Sequence, residues 1–179
     1  MSIQDFIINR RSIKKFEQDS YFEDAQIQQA IELSAYAPNH GMREPWRIIW
    51  VKKDRLSEYG RLFAEVNFKN DNEKGQAFTA MAQKLGGILI IAGPVDRRQK
   101  QRLEDVLAIG GYMQTLSLLL FDAGIGSCIK TPASMFEPKF NAALGIHDDE
   151  MIYGLVYLTE LPEQLEDKPR KNSNLISEF

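Results

Sequence analysis

Cysteine is nearly absent from this sequence: Cys128 is the only one among 179 residues. An intrachain disulfide is therefore excluded, and a reducing cytoplasm is the expected setting. Histidine is scarce as well. Only two are present, His40 and His147, well apart in the chain, so a Cys/His zinc site is not expected and no metal is. A surplus of positive charge is missing too. The formal net charge of −3 points away from a nucleic-acid surface. Long apolar runs are lacking. The longest, around residues 88–92 and 116–121, fall far short of the roughly 20 residues that span a bilayer, so no membrane association is expected. The opening Met1-Ser2-Ile3-Gln4-Asp5 has no basic region followed by an apolar run, so no signal peptide is expected. Neither an internal repeat nor a low-complexity segment occurs. Against these absences, 44% hydrophobic and 26% charged residues are the proportions of an ordinary globular protein. The length suits one domain over residues 1–179.

The apolar pattern switches between helical and extended spacing. Ser2 with Asp5 has capping-box spacing and opens a helix with Ile3, Phe6 and Ile7 on one face. Asp24 is placed to cap a second helix carrying Ile27, Ala30, Ile31 and Ala35, which Pro38 stops. Ala37-Pro38-Asn39-His40-Gly41-Met42-Arg43-Glu44-Pro45-Trp46 is an irregular, rigid loop, in which Pro45-Trp46 serves packing. A strand follows at residues 47–52. Helices are expected over 55–68 and 76–85, with a polar excursion at 67–75. The run from Gly86 to Pro94 is fenced by glycines and a proline and suits a central strand covered on both faces. The longest helical pattern spans 103–123, preceded by a charged run at 96–105 expected as a solvated loop and helix start. Its second half is apolar nearly all round, which makes it a buried central helix or an oligomer interface. Gly110-Gly111 inside it cost about 1 kcal/mol each relative to alanine, which suggests close approach of another backbone. Gly124 is placed to cap that helix. A strand then enters a loop near Thr131, a short helix covers 136–144, and a last strand 151–158. Helices alternating with three or four apolar strands indicate a layered arrangement of helices on a sheet.

Three stretches stand out. Asn9-Arg10-Arg11-Ser12-Ile13-Lys14-Lys15-Phe16 combines four cations and a hydroxyl with two apolar anchors. It is either an anion seat or a solvated helix end. The loop around His40 is the second, and Gly124-Ile125-Gly126-Ser127-Cys128-Ile129-Lys130-Thr131 is the third. Lys168-Pro169-Arg170-Lys171 adds distant cations. Cys128 is expected as a small buried apolar residue.

In order and spacing these stretches resemble the FMN-dependent nitroreductase family, in its small single-domain branch. The resemblance covers nearly the whole chain. It rests on Arg-Arg-Ser-Ile-Lys-Lys-Phe, Ala-Pro-Asn-His-Gly-Met-Arg-Glu-Pro-Trp-Arg and Gly-Ile-Gly-Ser-Cys-Ile-Lys-Thr. It implies an α+β fold, a central, mostly antiparallel sheet flanked by helices, in a homodimer with FMN at the interface. NAD(P)H would give hydride to FMN N5, and a nitroaromatic, a quinone or a similar acceptor would take it. By resemblance, Arg10, Arg11 and Ser12 carry the phosphate, ribityl chain and ring edge, and His40 contacts the flavin from across the interface. Ile129, Lys130 and Thr131 lie against the isoalloxazine, and Arg170 returns to the phosphate. No protein side chain is implied as a catalytic acid. On the residues alone, either Arg11 or Lys14 can assist Arg10, Lys130 is a ring contact or a solvent-facing strand residue, and Arg170 is a ligand or part of a basic tail. Met42 and Glu44 depart from the Asn-x-Gln-Pro-Trp loop of larger members, and residues 62–86 hold no obvious lid. The rival readings are an FMN-binding or flavin-storage protein without turnover, and an interaction module without cofactor.

Overall fold

Ser2 caps the first helix, α1 (Ile3–Asn9). Its hydroxyl accepts from the Asp5 N–H at 3.2 Å, and the Asp5 carboxylate accepts from the Ser2 N–H at 2.7 Å. This reciprocal pair satisfies two donors that a helix start otherwise leaves open. The second helix, α2 (Asp24–Ser34), has Glu23 as its N-cap. Asp24 stands inside the first turn, one residue later than expected, where its charge still suits the helix dipole. β1 (Arg47–Val51), α3 (Leu56–Asn67), α4 (Asn72–Lys84), β2 (Gly87–Pro94) and α5 (Gln99–Asp122) follow. β3 (Ile125–Lys130), α6 (Pro138–Ala143) and β4 (Glu150–Glu160) complete the order. The computed structural model describes residues 2–69, 71–166, 169–170 and 175–178.

α4 begins earlier than its apolar pattern suggests, and the excursion expected at 67–75 shrinks accordingly. The Asp71 carboxylate accepts from the Lys74 N–H at 2.9 Å and caps the helix. The extra turn is polar, so periodicity alone gave no sign of it. α5 likewise starts inside the charged run, at Gln99.

The four strands form one antiparallel sheet in the order β1-β2-β4-β3. Period-2 alternation along β2 divides the core. Ile88 and Ile90 meet Leu56, Tyr59 and Phe63 of α3 and Phe140 of α6 on one face. Leu89 and Ile91 meet Ile109, Tyr112, Leu116 and Leu120 of α5 and Ile27 of α2 on the other. Each such buried side chain contributes about 1.5–3 kcal/mol. The apolar second half of α5 is thus the buried central helix of this chain. Its first half keeps Leu103, Val106 and Leu107 exposed. A Cβ at Gly110 would meet nothing within 4 Å. The expected close approach of a backbone is therefore not made among the described residues, because Gly110 lies on the outer side of the helix. Among the described residues no helix is long and apolar enough to cross a membrane.

Arg47 ties the start of β1 to the start of β4. Its Nε donates to Glu150 Oε1 at 2.8 Å and its Nη2 to the Gly145 carbonyl at 2.9 Å. Hydrogen bonds from the guanidinium, and then from the His147 N–H, hold Glu150 at about 2, below the ordinary 4.5. A carboxyl with a depressed folded value contributes stability above its unfolded value and loses it as pH falls. Melting temperature should therefore decline between about pH 4.5 and about 2, and Glu150→Gln should flatten that limb. Thermal melts at stepped pH test this; an acid limb identical in the two proteins would dismiss the pair as its source.

Candidate functional site

The basic stretch leaves α1 in an extended conformation and lies down against β3. Arg10 caps the helix, its N–H donating to the Phe6 carbonyl at 2.9 Å. Ser12 forms a parallel bridge with Ser127, and the Ile13 N–H donates to the Ser127 carbonyl at 3.0 Å. Ile13 is buried behind the bridge, while Ser12 and Lys14 on either side are exposed. Phe16 packs 6.0 Å from Tyr157, and Lys130 Nζ sits 5.8 Å from the Phe16 ring centroid. The first and third stretches thus meet within this chain.

Three cations gather there, Arg10, Arg11 and Arg170. Burial, followed by the charges of Arg170 and Arg11, lowers the Arg10 pKa. Arg170 has therefore returned to Arg10. Lys168 and Lys171 beside it lie outside the described residues. Arg11 donates from Nε to the Glu166 carbonyl at 3.0 Å, and from Nη1 to the carbonyls of Arg10 and Ile8. It ties the segment before Arg170 to the helix end. Among the described residues the Arg10 guanidinium meets no acidic side chain. A half-buried guanidinium repelled by two other cations, two residues from an exposed serine, is a donor set whose chemistry fits a phosphate.

Beyond the bridge, Ile129 is 40% exposed, an apolar side chain left open on β3. Lys130 is half-buried and Thr131 exposed. Gly126 is required by close approach: a Cβ there would lie 2.7 Å from the Glu160 carbonyl oxygen. Gly124, at φ 74°, ends α5 as expected. Cys128 is buried in β3. Among the described residues no cluster of His, Cys, Asp and Glu could hold a metal.

The loop at residues 37–46 stores strain. Gly41 has φ 63°, and two residues with side chains, Met42 (φ 54°) and Glu44 (φ 47°), are also left-handed. Each costs about 1–2 kcal/mol and persists only where surroundings over-determine it. Asn39 Oδ1 accepts from the Glu44 N–H at 3.0 Å, and Trp46 stacks on Tyr112 at 4.9 Å. Arg43 reaches inward, Nε and Nη2 each 3.1 Å from an oxygen of Asp105. Asp105 is 1% exposed, so this part of the charged run is not solvated as expected. The signal lay in spacing: Asp105 precedes Ala108, Ile109, Tyr112 and Leu116 on the buried face of α5.

His40 stands apart from the cations. Its side chain is 66% exposed, with Nε2 3.9 Å from Glu104 Oε1 near the start of α5. Phe6 of α1 packs on Phe121 at the far end. From Glu104 to Phe121 the helix rises about 25 Å at about 1.5 Å per residue. The chain by itself therefore does not bring His40 to Arg10.

The chain matches the model of the nitroreductase family over residues 7–158. A Bacillus subtilis protein provisionally named NAD(P)H nitroreductase YfhC is 31% identical over 169 residues, covering 90% of this chain and 87% of that protein. A nitroreductase-like family protein from Bacillus cereus superposes with a TM-score of 0.88 at 24% identity, covering 100% of this chain and 96% of that one. A nitroreductase with bound FMN from Bacteroides fragilis gives 0.74 at 16% identity, covering 100% and 99%. A variant of an FMN- and NADPH-dependent nitroreductase from sphigopyxis sp. strain HMH gives 0.79 at 16% identity, with the same coverage. At these identities the solved structures speak for the fold.

Proposed function

The chain belongs to the nitroreductase family, and from that premise we propose that it is an FMN-dependent oxidoreductase. It uses NAD(P)H to reduce a nitroaromatic, a quinone or a similar small acceptor. The observation that carries this reading is the half-buried Arg10 guanidinium, set against the charges of Arg170 and Arg11 in the stretch that lays Ser12 on β3. Arg10, Ser12 and Arg170 bind the FMN phosphate. Arg11 holds the returning tail through the Glu166 carbonyl and adds charge, and Lys14 is the outer cation of the same stretch. The exposed Ile129, with Lys130 and Thr131, flanks the flavin ring. When bound, FMN supplies hydride uptake from the nicotinamide and electron delivery to the acceptor. The protein's own part is to bind, to orient and to surround the flavin with positive charge.

The active unit is a homodimer of single domains spanning residues 1–179. Two features support pairing. Leu103, Val106 and Leu107 are exposed on α5 beside Gly110, whose open side admits a second backbone. His40 is too far from Arg10 to serve the same flavin, so it contacts the flavin of the partner. A cytoplasmic setting suits the free thiol of Cys128.

Anaerobic mixing tests the reading. Purified protein should carry FMN, and NADH or NADPH should bleach its visible absorbance in one phase, with colour returning on addition of a quinone. Flavin that stays yellow under an excess of both nucleotides would favour storage over turnover. Protein that takes up no FMN would overturn the flavin reading itself.

A further inference from the structure

The loop of His40 is held in its strained shape from beneath. Arg43 is the right-handed residue between Met42 and Glu44, both left-handed. Its side chain joins this part of the loop to the buried face of α5 with charge on both sides. Asp105 receives Arg43 through both carboxylate oxygens at 3.1 Å, and Gln101 Nε2 donates to its Oδ1 at 3.2 Å. A planar guanidinium bound by two parallel bonds fixes direction as well as distance. Asp96 Oδ2 lies 4.0 Å from the same guanidinium but is engaged by Arg98 at 2.7 Å. A buried carboxylate that grips a partly exposed arginine beside two left-handed residues does more than stabilise a surface turn.

We propose that Asp105 is a positioning residue for the flavin site: through Arg43 it holds residues 40–44 in the strained turn that presents His40. The proposal rests on the reading of this loop as a flavin contact. It adds a residue that touches no cofactor and lies on a different element from every expected ligand. Without the clamp, Met42 and Glu44 relax toward ordinary backbone conformations, and His40, next in the chain to Gly41, moves with them.

Titration of apoprotein with FMN, followed by flavin fluorescence, reads the effect. Asp105→Asn should weaken FMN binding at least tenfold. Arg43→Gln with Asp105→Asn leaves two neutral amides and no buried charge, which protects the fold; it should weaken binding to the same degree. His40→Ala should weaken binding in the otherwise unchanged protein but by less than twofold once Asp105→Asn is present. A merely structural role predicts additive losses instead, since residues that do not act through one another contribute independently. Additive losses, or wild-type affinity in both clamp variants, overturn the proposal while leaving the flavin reading intact. An unmodified protein that binds no FMN overturns both.

Discussion

Replacing Arg10 and Ser12 together by alanine is expected to give protein that purifies nearly colourless. Both groups donate to a charged phosphate, and a hydrogen bond to a charged group contributes about 1.5–3 kcal/mol. Their joint loss is about 3–6 kcal/mol, roughly a 140- to 20,000-fold fall in FMN affinity at about 1.4 kcal/mol per decade. The apoprotein should not suffer. Arg10 is held against burial and against the charges of Arg170 and Arg11, so its removal relieves repulsion in the empty state. The two effects separate in a melting experiment. FMN at a hundred times its Kd should stabilise the unmodified protein by about 2.7 kcal/mol by mass action, and the double variant hardly at all. A Lys15→Ala control should retain the flavin. Full flavin content in the double variant would move the phosphate seat elsewhere.

Gly93→Ala is expected to be the most damaging single methyl group that can be added to this chain near the site. A Cβ at Gly93, in β2, would lie 2.3 Å from the Pro45 carbonyl oxygen and 2.8 Å from Ile109 Cδ1. The first contact is with backbone and cannot be relieved by a side-chain rotation. Pro45 is buried and fixed between the strained loop and β1. Overpacking usually costs about 1–3 kcal/mol, and a contact this short belongs at or above the upper end. At about 3 kcal/mol the melting temperature of a chain this size drops about 6–12 °C. Because Pro45 closes the loop that carries His40, FMN affinity should fall in the same variant. Differential scanning calorimetry with and without FMN measures both; a melting temperature within 1 °C of the unmodified protein would mean that Pro45 yields freely.

The elements that packing dictates were legible in the sequence. The apolar run at Ile88, Leu89, Ile90 and Ile91, fenced by glycines and a proline, suits a strand with both faces covered, and it is the strand that divides the core. Ser2 and Asp5 announced the first helix by their chemistry. What stayed hidden was set by partners distant in sequence. The first turn of α4 is polar and is held by a cap, so apolar spacing had nothing to detect. Asp105 looked solvated because its neighbours are charged, and only its register with Tyr112 and Leu116 marks it as inward-facing. Its partner Arg43 lies 62 positions away. The candidate site was legible as residue types, but not as an arrangement. Nothing local to Arg10 shows that Ser127 would lie beside Ser12, nor that His40 would sit at the opposite end of α5.

That scattering has a consequence for how the chain acquires its activity during synthesis. The proposed phosphate seat joins Arg11 to a carbonyl 155 positions away and lays the first basic stretch on the third strand. Contacts so remote in sequence form late, after their loops have closed. A ribosome-bound chain holds every arginine of the first stretch early and yet has no seat, because β3 and the returning tail have not emerged. Cofactor capture on this fold therefore follows completion of the chain and cannot guide its early folding.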